Sequence, residues 1–142
     1  MNKEQLEQIA NGMVADGKGI LAADESTGTI KKRFDQISTE STEDSRRDYR
    51  ELLFRSDEAM QNWISGVILF DETIRQNSKD GSPLVDLITA AGSIPGIKVD
   101  AGAQDLAQAP GEKVTEGLDR LRSRFQEYHA LGARFAKWRA VI

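Results

Sequence analysis

Gly19-Ile20-Leu21-Ala22-Ala23-Asp24 is a short apolar run that opens on glycine and closes on an acid, and Gly66-Val67-Ile68-Leu69-Phe70-Asp71 repeats the order. Pro95-Gly96-Ile97-Lys98-Val99-Asp100 is a third such run, and Phe135-Ala136-Lys137-Trp138-Arg139-Ala140-Val141-Ile142 closes the chain as a fourth. Each is too short for a stable helix and apolar enough to be a buried strand. Between the runs the apolar spacing turns helical. Leu6, Ile9, Ala10 and Met13 mark one helix face, which Asp16-Gly17 ends with Gly17 as the C-cap. Ser26-Thr27-Gly28-Thr29 leads into the stretch Lys31–Ile37, and the polar segment from Ser38 to Asp44 is a connection. From about Asp44 a helical pattern runs through Tyr49, Leu52, Leu53, Met60, Trp63 and Ile64. Ser82-Pro83 starts another, serine at the cap and proline at the first helical position, with Leu84, Leu87, Ile88 and Ala91 as its face and Gly92 as its stop. Val114, Leu118, Leu121 and Phe125 carry the last helix to Gly132.

The order is therefore a helix followed by β-α-β-α-β-α-β, the alternation of a parallel sheet with right-handed crossovers. Gly17-x-Gly19 precedes its strand instead of following it, so a dinucleotide fingerprint does not fit, and no Walker A pattern is present. The expected fold class is α/β, a (β/α) TIM-barrel type with its functional loops after the strands. A complete barrel has eight strands and typically about 250 residues. This chain of 142 residues reads as a single domain over residues 1–142, truncated to about four parallel βα units, a half barrel.

Composition narrows the chemistry. The net charge is −4, with 19 Lys+Arg against 23 Asp+Glu mixed along the chain, which disfavours a nucleic-acid partner. No run of about 18 apolar residues offers a membrane span. Met1 opens directly into the polar stretch MNKEQLEQ, unlike a signal peptide. There is no cysteine, which excludes disulfides and thiolate metal sites and fits a cytoplasmic protein. One histidine, His129, makes a zinc enzyme a poor fit, so the expected site has no metal and no cofactor. Carboxylates, lysines and arginines are left to do the work.

Side chains two apart share a strand face. Phe135, Lys137 and Arg139 then lie on one side of the fourth strand, Lys98 and Asp100 on one side of the third, and Asp24 ends the first. Facing into a barrel, Asp24, Lys98, Lys137 and Arg139 converge near its carboxyl end. Two readings of that cluster stand side by side. The charges pair among themselves as a structural network, or they hold an anionic, phosphorylated substrate while the acid moves protons. Ser26-Thr27-Gly28-Thr29 is likewise either a plain helix cap or a cradle of N–H groups for phosphate. Arg33, one turn on, points back to the same anion or into solvent. Trp63 reads as core, and His129 as a late-helix residue that interacts favourably with the dipole. Arg46, Arg47 and Arg50, among Asp44, Asp48 and Glu51, read as a solvated helix face.

Taken together, the segment Gly17-Lys18-Gly19-Ile20-Leu21-Ala22-Ala23-Asp24-Glu25-Ser26-Thr27-Gly28 closely resembles the first strand of class I fructose-bisphosphate aldolases. Gly66–Phe70, Gly96–Asp100, Gly117-Leu118-Asp119 and Phe135–Arg139 resemble the same family in the same order, so the likeness covers the chain. It implies reversible cleavage of fructose 1,6-bisphosphate to dihydroxyacetone phosphate and glyceraldehyde 3-phosphate through a lysine iminium, without metal. By the resemblance, Asp24 is the acid that works with the substrate hydroxyl and the carbinolamine. Lys137 is the lysine beside the iminium, depressing the nucleophile's pKa. Lys98, Ser26, Thr29 and Arg139 match positions around the far hydroxyls and phosphate, and Glu25 and Arg33 match supporting positions. Ala101 stands where the family often has lysine.

The iminium-forming lysine, the general acid–base glutamates and the grip on the other phosphate belong to later strands of the family. The chain alone is therefore expected to lack lyase activity. Its expected partners are a phosphorylated sugar and either a carboxyl-terminal half that completes the barrel or further copies of itself as a homo-oligomer. The competing reading is a non-catalytic half-barrel that self-associates through its raw sheet edges and still binds phosphorylated ligands.

Overall fold

The computed structural model describes residues 2–141. Helix α1 (Lys3–Met13) starts at Asn2 with a capping box, in which the Asn2 and Gln5 side chains each accept the other's backbone N–H. Strand β1 (Gly19–Ala23) follows, then α2 (Thr27–Gln36), α3 (Glu43–Phe54) and α4 (Asp57–Trp63). Strand β2 (Ile64–Leu69) leads through α5 (Asp71–Ile74) and α6 (Leu84–Ala90) to β3 (Ile94–Lys98). A hairpin of β4 (Gly102–Asp105) and β5 (Lys113–Glu116) precedes α7 (Leu121–Ala130) and β6 (Phe135–Lys137).

Strands β1, β2, β3 and β6 form one sheet in that order, every pairing parallel, a partial barrel of α/β type. The two faces of the sheet divide the labour. Val67, Leu69, Ile97 and Val99 project to the convex face, into a core completed by Phe54, Met60, Ile74, Leu84, Val85 and Ile88. Each such side chain contributes about 1.5–3 kcal/mol by leaving water. The concave face carries the alternate residues in rows set by the register. One row, Ala22–Ile68–Gly96–Phe135, is apolar. The next toward the strands' carboxyl ends contains Lys98 beside Lys137 and is charged.

Several sequence expectations need correction. Strand β1 is not buried along its length, because it is a sheet edge facing an open concave side; Ala23 is fully buried whereas Ile20 is exposed. The helical pattern from Asp44 to Ile64 is two helices. A turn at Arg55-Ser56, where the Ser56 hydroxyl donates to the Leu52 carbonyl at 3.0 Å, separates them, and Ile64 already belongs to β2. Trp63, read as core, ends α4 with 61% of its surface in solvent. Val114 and Leu118 do not belong to the last helix; Val114 lies in β5, and Leu118 is exposed in the turn before α7. Gly111 and Gly117, both at positive φ, bracket that strand and stop a helix from running through it.

Pro83 is the cap of α6 and not its first helical residue. Strand β6 stops at Lys137, where its partner β3 also stops, so residues 138–141 have no ladder to extend; Ile142 lies outside the described residues. Of the three arginines read as solvated, Arg47 does pair along the helix surface with Asp44 and Asp48. Arg46 and Arg50 are buried, because α3 turns them inward onto Glu72 and onto backbone carbonyls of the β1–α2 turn.

Candidate active site

The parallel pairing brings the carboxyl ends of all four strands to one edge of the sheet. At that edge lies a cleft of about 620 Å³, lined by Asp24, Glu25, Ser26, Thr29, Arg33, Lys98, Lys137 and Arg139 together with Ala22, Phe70 and the Asp100–Gly102 segment. All eight residues singled out from the sequence therefore meet in one place. A larger concavity, about 830 Å³, sits at the other end of the sheet between α1, α6 and α7, where His129 and Arg134 lie. Ligands of parallel α/β sheets gather at the carboxyl ends of the strands, which favours the first cleft.

Strand parity explains which acids reach it. Ala23 pairs with Leu69, so Asp24 is level with Phe70, and both of those side chains line the cleft. Asp71 is one residue further along and projects to the other side. There it accepts the Tyr128 hydroxyl at 2.8 Å and pairs with Arg75. Asp100, two beyond Lys98, returns to the cleft; its acid-terminated run matches that of Asp24, and this shared ending was the signal for it in the sequence.

Asp24 is buried and its Oδ2 accepts from Lys137 Nζ at 2.5 Å, although the two residues are 113 positions apart. Lys98 Nζ donates to Asp100 Oδ1 at 2.6 Å and to the Asp100 carbonyl at 2.8 Å. Asp100 also accepts the N–H groups of Gly102 at 3.1 Å and Arg139 at 3.2 Å. Burial works against the charged Asp100, but these donors outweigh it and hold its carboxyl below the usual range. Arg33 pairs with Glu25 at the cleft rim, with about half of its side chain (56%) still in solvent. Ser26 occupies the cap position of α2 but does not cap it; its hydroxyl lies 3.1 Å from that of Thr29, both on the cleft wall.

The lining thus holds four cations and three carboxylates. Each carboxylate has its own cation, and the Arg139 guanidinium has no carboxylate partner among the described residues. The charges pair internally, as the first reading of the cluster expects, and one positive charge remains over. Among the described residues, no group of His, Cys, Asp and Glu is arranged to hold a metal ion, and no helix is long and apolar enough to cross a membrane.

Residues 5–142 match the glycolytic family described as fructose-bisphosphate aldolase class-I. The chain belongs to the class I fructose-bisphosphate aldolase family. It is 62% identical over its whole length to a probable fructose-bisphosphate aldolase class 1 of Xanthomonas axonopodis pv. citri, of which it covers 42%. It is 56% identical to fructose-bisphosphate aldolase 1 of Toxoplasma gondii, over 98% of this chain and 38% of that one. A crystal structure of the Plasmodium falciparum fructose-bisphosphate aldolase, in complex with TRAP and a small molecule inhibitor, superposes with a TM-score of 0.92 at 51% identity. That match covers 96% of this chain and 39% of the parasite enzyme. The chain thus spans about 40% of the length of the aldolases it matches.

Proposed function

We propose that this aldolase chain supplies, as one domain, the amino-terminal half of a barrel that cleaves fructose 1,6-bisphosphate reversibly to dihydroxyacetone phosphate and glyceraldehyde 3-phosphate. The observation that carries the proposal is the meeting of Asp24 and Lys137 across the sheet, inside the cleft that Lys98, Arg139, Ser26 and Thr29 also line. A buried carboxylate against an ammonium can take a proton from a substrate hydroxyl and return one to a departing carbinolamine oxygen. Lys137 is the electrostatic neighbour of the iminium-forming lysine, which belongs to a later strand. The iminium nitrogen accepts the electron pair left when the C–C bond breaks, without any metal or cofactor.

Arg139, whose charge is left over, and the hydroxyls of Ser26 and Thr29 receive a phosphate and the far hydroxyls with Lys98; Glu25 and Arg33 support the loop that presents them. The place of action is the cytoplasm, as with the cytosolic aldolase 5 of Arabidopsis thaliana, 55% identical over 139 residues. The partner that covers the open edges of β1 and β6 is the carboxyl-terminal part of an aldolase. The exposed Ile20 on one edge and the exposed Trp138 and Val141 beyond the other are left for it to bury.

The test compares the purified 142-residue chain, alone and mixed with the separately made remainder of the Xanthomonas relative. The chain alone should neither cleave fructose 1,6-bisphosphate nor give a borohydride-trapped adduct, and the mixture should do both. A trapped adduct on Lys98 or Lys137 of the chain alone overturns the assignment. A homo-oligomer that binds the sugar, while the added half restores nothing, favours the self-associating half-barrel.

A further inference from the structure

Arg50 leaves α3 and runs beneath the β1–α2 turn, where its side chain is completely buried. Its Nε donates to the Ala23 carbonyl at 3.3 Å and its Nη2 to the Glu25 carbonyl at 2.7 Å. These are the carbonyls of the residues on either side of Asp24. One planar guanidinium therefore holds the backbone immediately before and after the acid that meets Lys137.

The rest of its surroundings are poorly matched for a residue that serves stability alone. Among the described residues Nη1 has no hydrogen-bond partner and lies 3.9 Å from Glu72 Oε1, and Nη2 lies 3.8 Å from Glu25 Oε2, which likewise has none among them. Glu72 is already taken by a bidentate pair with Arg46, at 2.8 and 2.6 Å. Burial disfavours the charged form of Arg50 and pulls its pKa below that of an ordinary arginine. An apolar side chain of similar volume would avoid the desolvation of an incompletely partnered cation. What an apolar side chain cannot do is donate in two directions within one plane.

We propose that Arg50 is a positioning residue, which clamps the peptide units flanking Asp24 and so aims its carboxylate at Lys137. It touches neither substrate nor reacting atoms. The inference rests on the reading of Asp24 and Lys137 as the reacting pair, but its geometry does not require cleavage to be measured. The fork matters because lysine offers one donor point where arginine offers two separated ones. Arg50→Lys keeps the charge and loses the clamp.

The experiment is competitive labelling of the full chain with trace acetic anhydride at constant pH. Acylation of Lys137 is read by mass spectrometry relative to that of Lys32, which is exposed on α2. In the wild type Lys137 is protected by its bond to Asp24. In Arg50→Lys and Arg50→Met, Asp24 loosens and the Lys137 ratio rises by about tenfold, the equivalent of one charge-assisted hydrogen bond. Ile88→Ala, which removes buried core surface on α6 and none of the hydrogen bonds at the turn, serves as the control for general destabilisation and leaves the ratio at the wild-type value at equal folded fraction.

Folded Arg50 variants whose ratio stays within about twofold of the wild type overturn the proposal. If neither variant folds, native-state exchange of the wild-type chain decides. The proposal requires Lys137 reactivity and exchange of the Arg50 guanidinium protons to share one opening free energy. Lys137 becoming reactive while Arg50 stays protected overturns it. Acylation needs no lyase chemistry, so these outcomes are independent of whether the completed barrel cleaves the sugar, which the trapping experiment decides separately.

Discussion

Replacing Gly96 by alanine tests the layer on which the charged row rests. Gly96 pairs with Phe135 across β3 and β6, and a Cβ built on it lands on the ring carbons Cε1, Cε2 and Cζ of Phe135. The ring also lies against Gly66, where a Cβ would meet Cε1 at 3.1 Å, so rotation about its own axis gives no relief. The ring must leave its rotamer or β6 must move. Overpacking of this kind costs about 1–3 kcal/mol, while the stiffer unfolded chain of an alanine variant returns about 0.4–1 kcal/mol. The net loss is about 1.3 kcal/mol at mid-range, and for a chain of this size that lowers Tm by about 4 °C. The assay is calorimetric or circular-dichroism melting of Gly96→Ala, Phe135→Leu and the double variant. The double variant should recover most of the loss, a coupling of about 1 kcal/mol. A Gly96→Ala chain that melts within about 1 °C of the wild type, or a double variant that is strictly additive, would falsify the packing argument.

Two further outcomes follow from the site. The Asp100 carboxyl is held below its ordinary value, so its contribution to stability is complete above the unfolded pKa of about 3.9. That contribution is lost as pH falls through the lower folded value; Asp100→Asn should show a flatter decline in urea midpoint below pH 4, and an unchanged acid limb counts against the donor set assigned to it. Arg139→Met removes the charge left over in the cleft and should weaken binding of inorganic phosphate by about tenfold, seen as lost amide shifts at Ser26–Thr29 in a titration. Equal affinity in the variant would place the anion elsewhere.

How far the residues disclosed the molecule in advance depended on the range of the signal. The four apolar runs were legible because a buried parallel strand needs a continuous apolar stretch, and no local alternative competes over so few residues. Four of the eight cleft residues, Asp24, Lys98, Lys137 and Arg139, were legible for a related reason. Strand parity is strict, so once the strands are in parallel register, Lys98, Lys137 and Asp24 must share a face. The hairpin at residues 102–116 was hidden because Val114 and Leu118 happen to fall at a helical interval from Leu121. The positive φ of Gly117 and of Arg120 breaks that pattern in space.

Arg50 shows the other kind of failure. On its own helix it sits in a run of charges, Arg46, Arg47, Asp48 and Glu51, and that neighbourhood describes a solvated face. Its true partners are the carbonyls of Ala23 and Glu25, more than twenty residues away, which become acceptors only when α3 packs behind the β1–α2 turn. Trp63 errs in the opposite direction, an aromatic that looks like core until the chain turns from helix into strand beneath it and leaves it in solvent. Periodicity reports what a segment does with its nearest neighbours, so it settled the strands, the alternation and the shared face of the acid and the lysines. Burial of a charge, the pairing of Asp24 with Lys137 and the clamp around Asp24 depend on distances between elements, which exist only once the sheet and its helices have assembled.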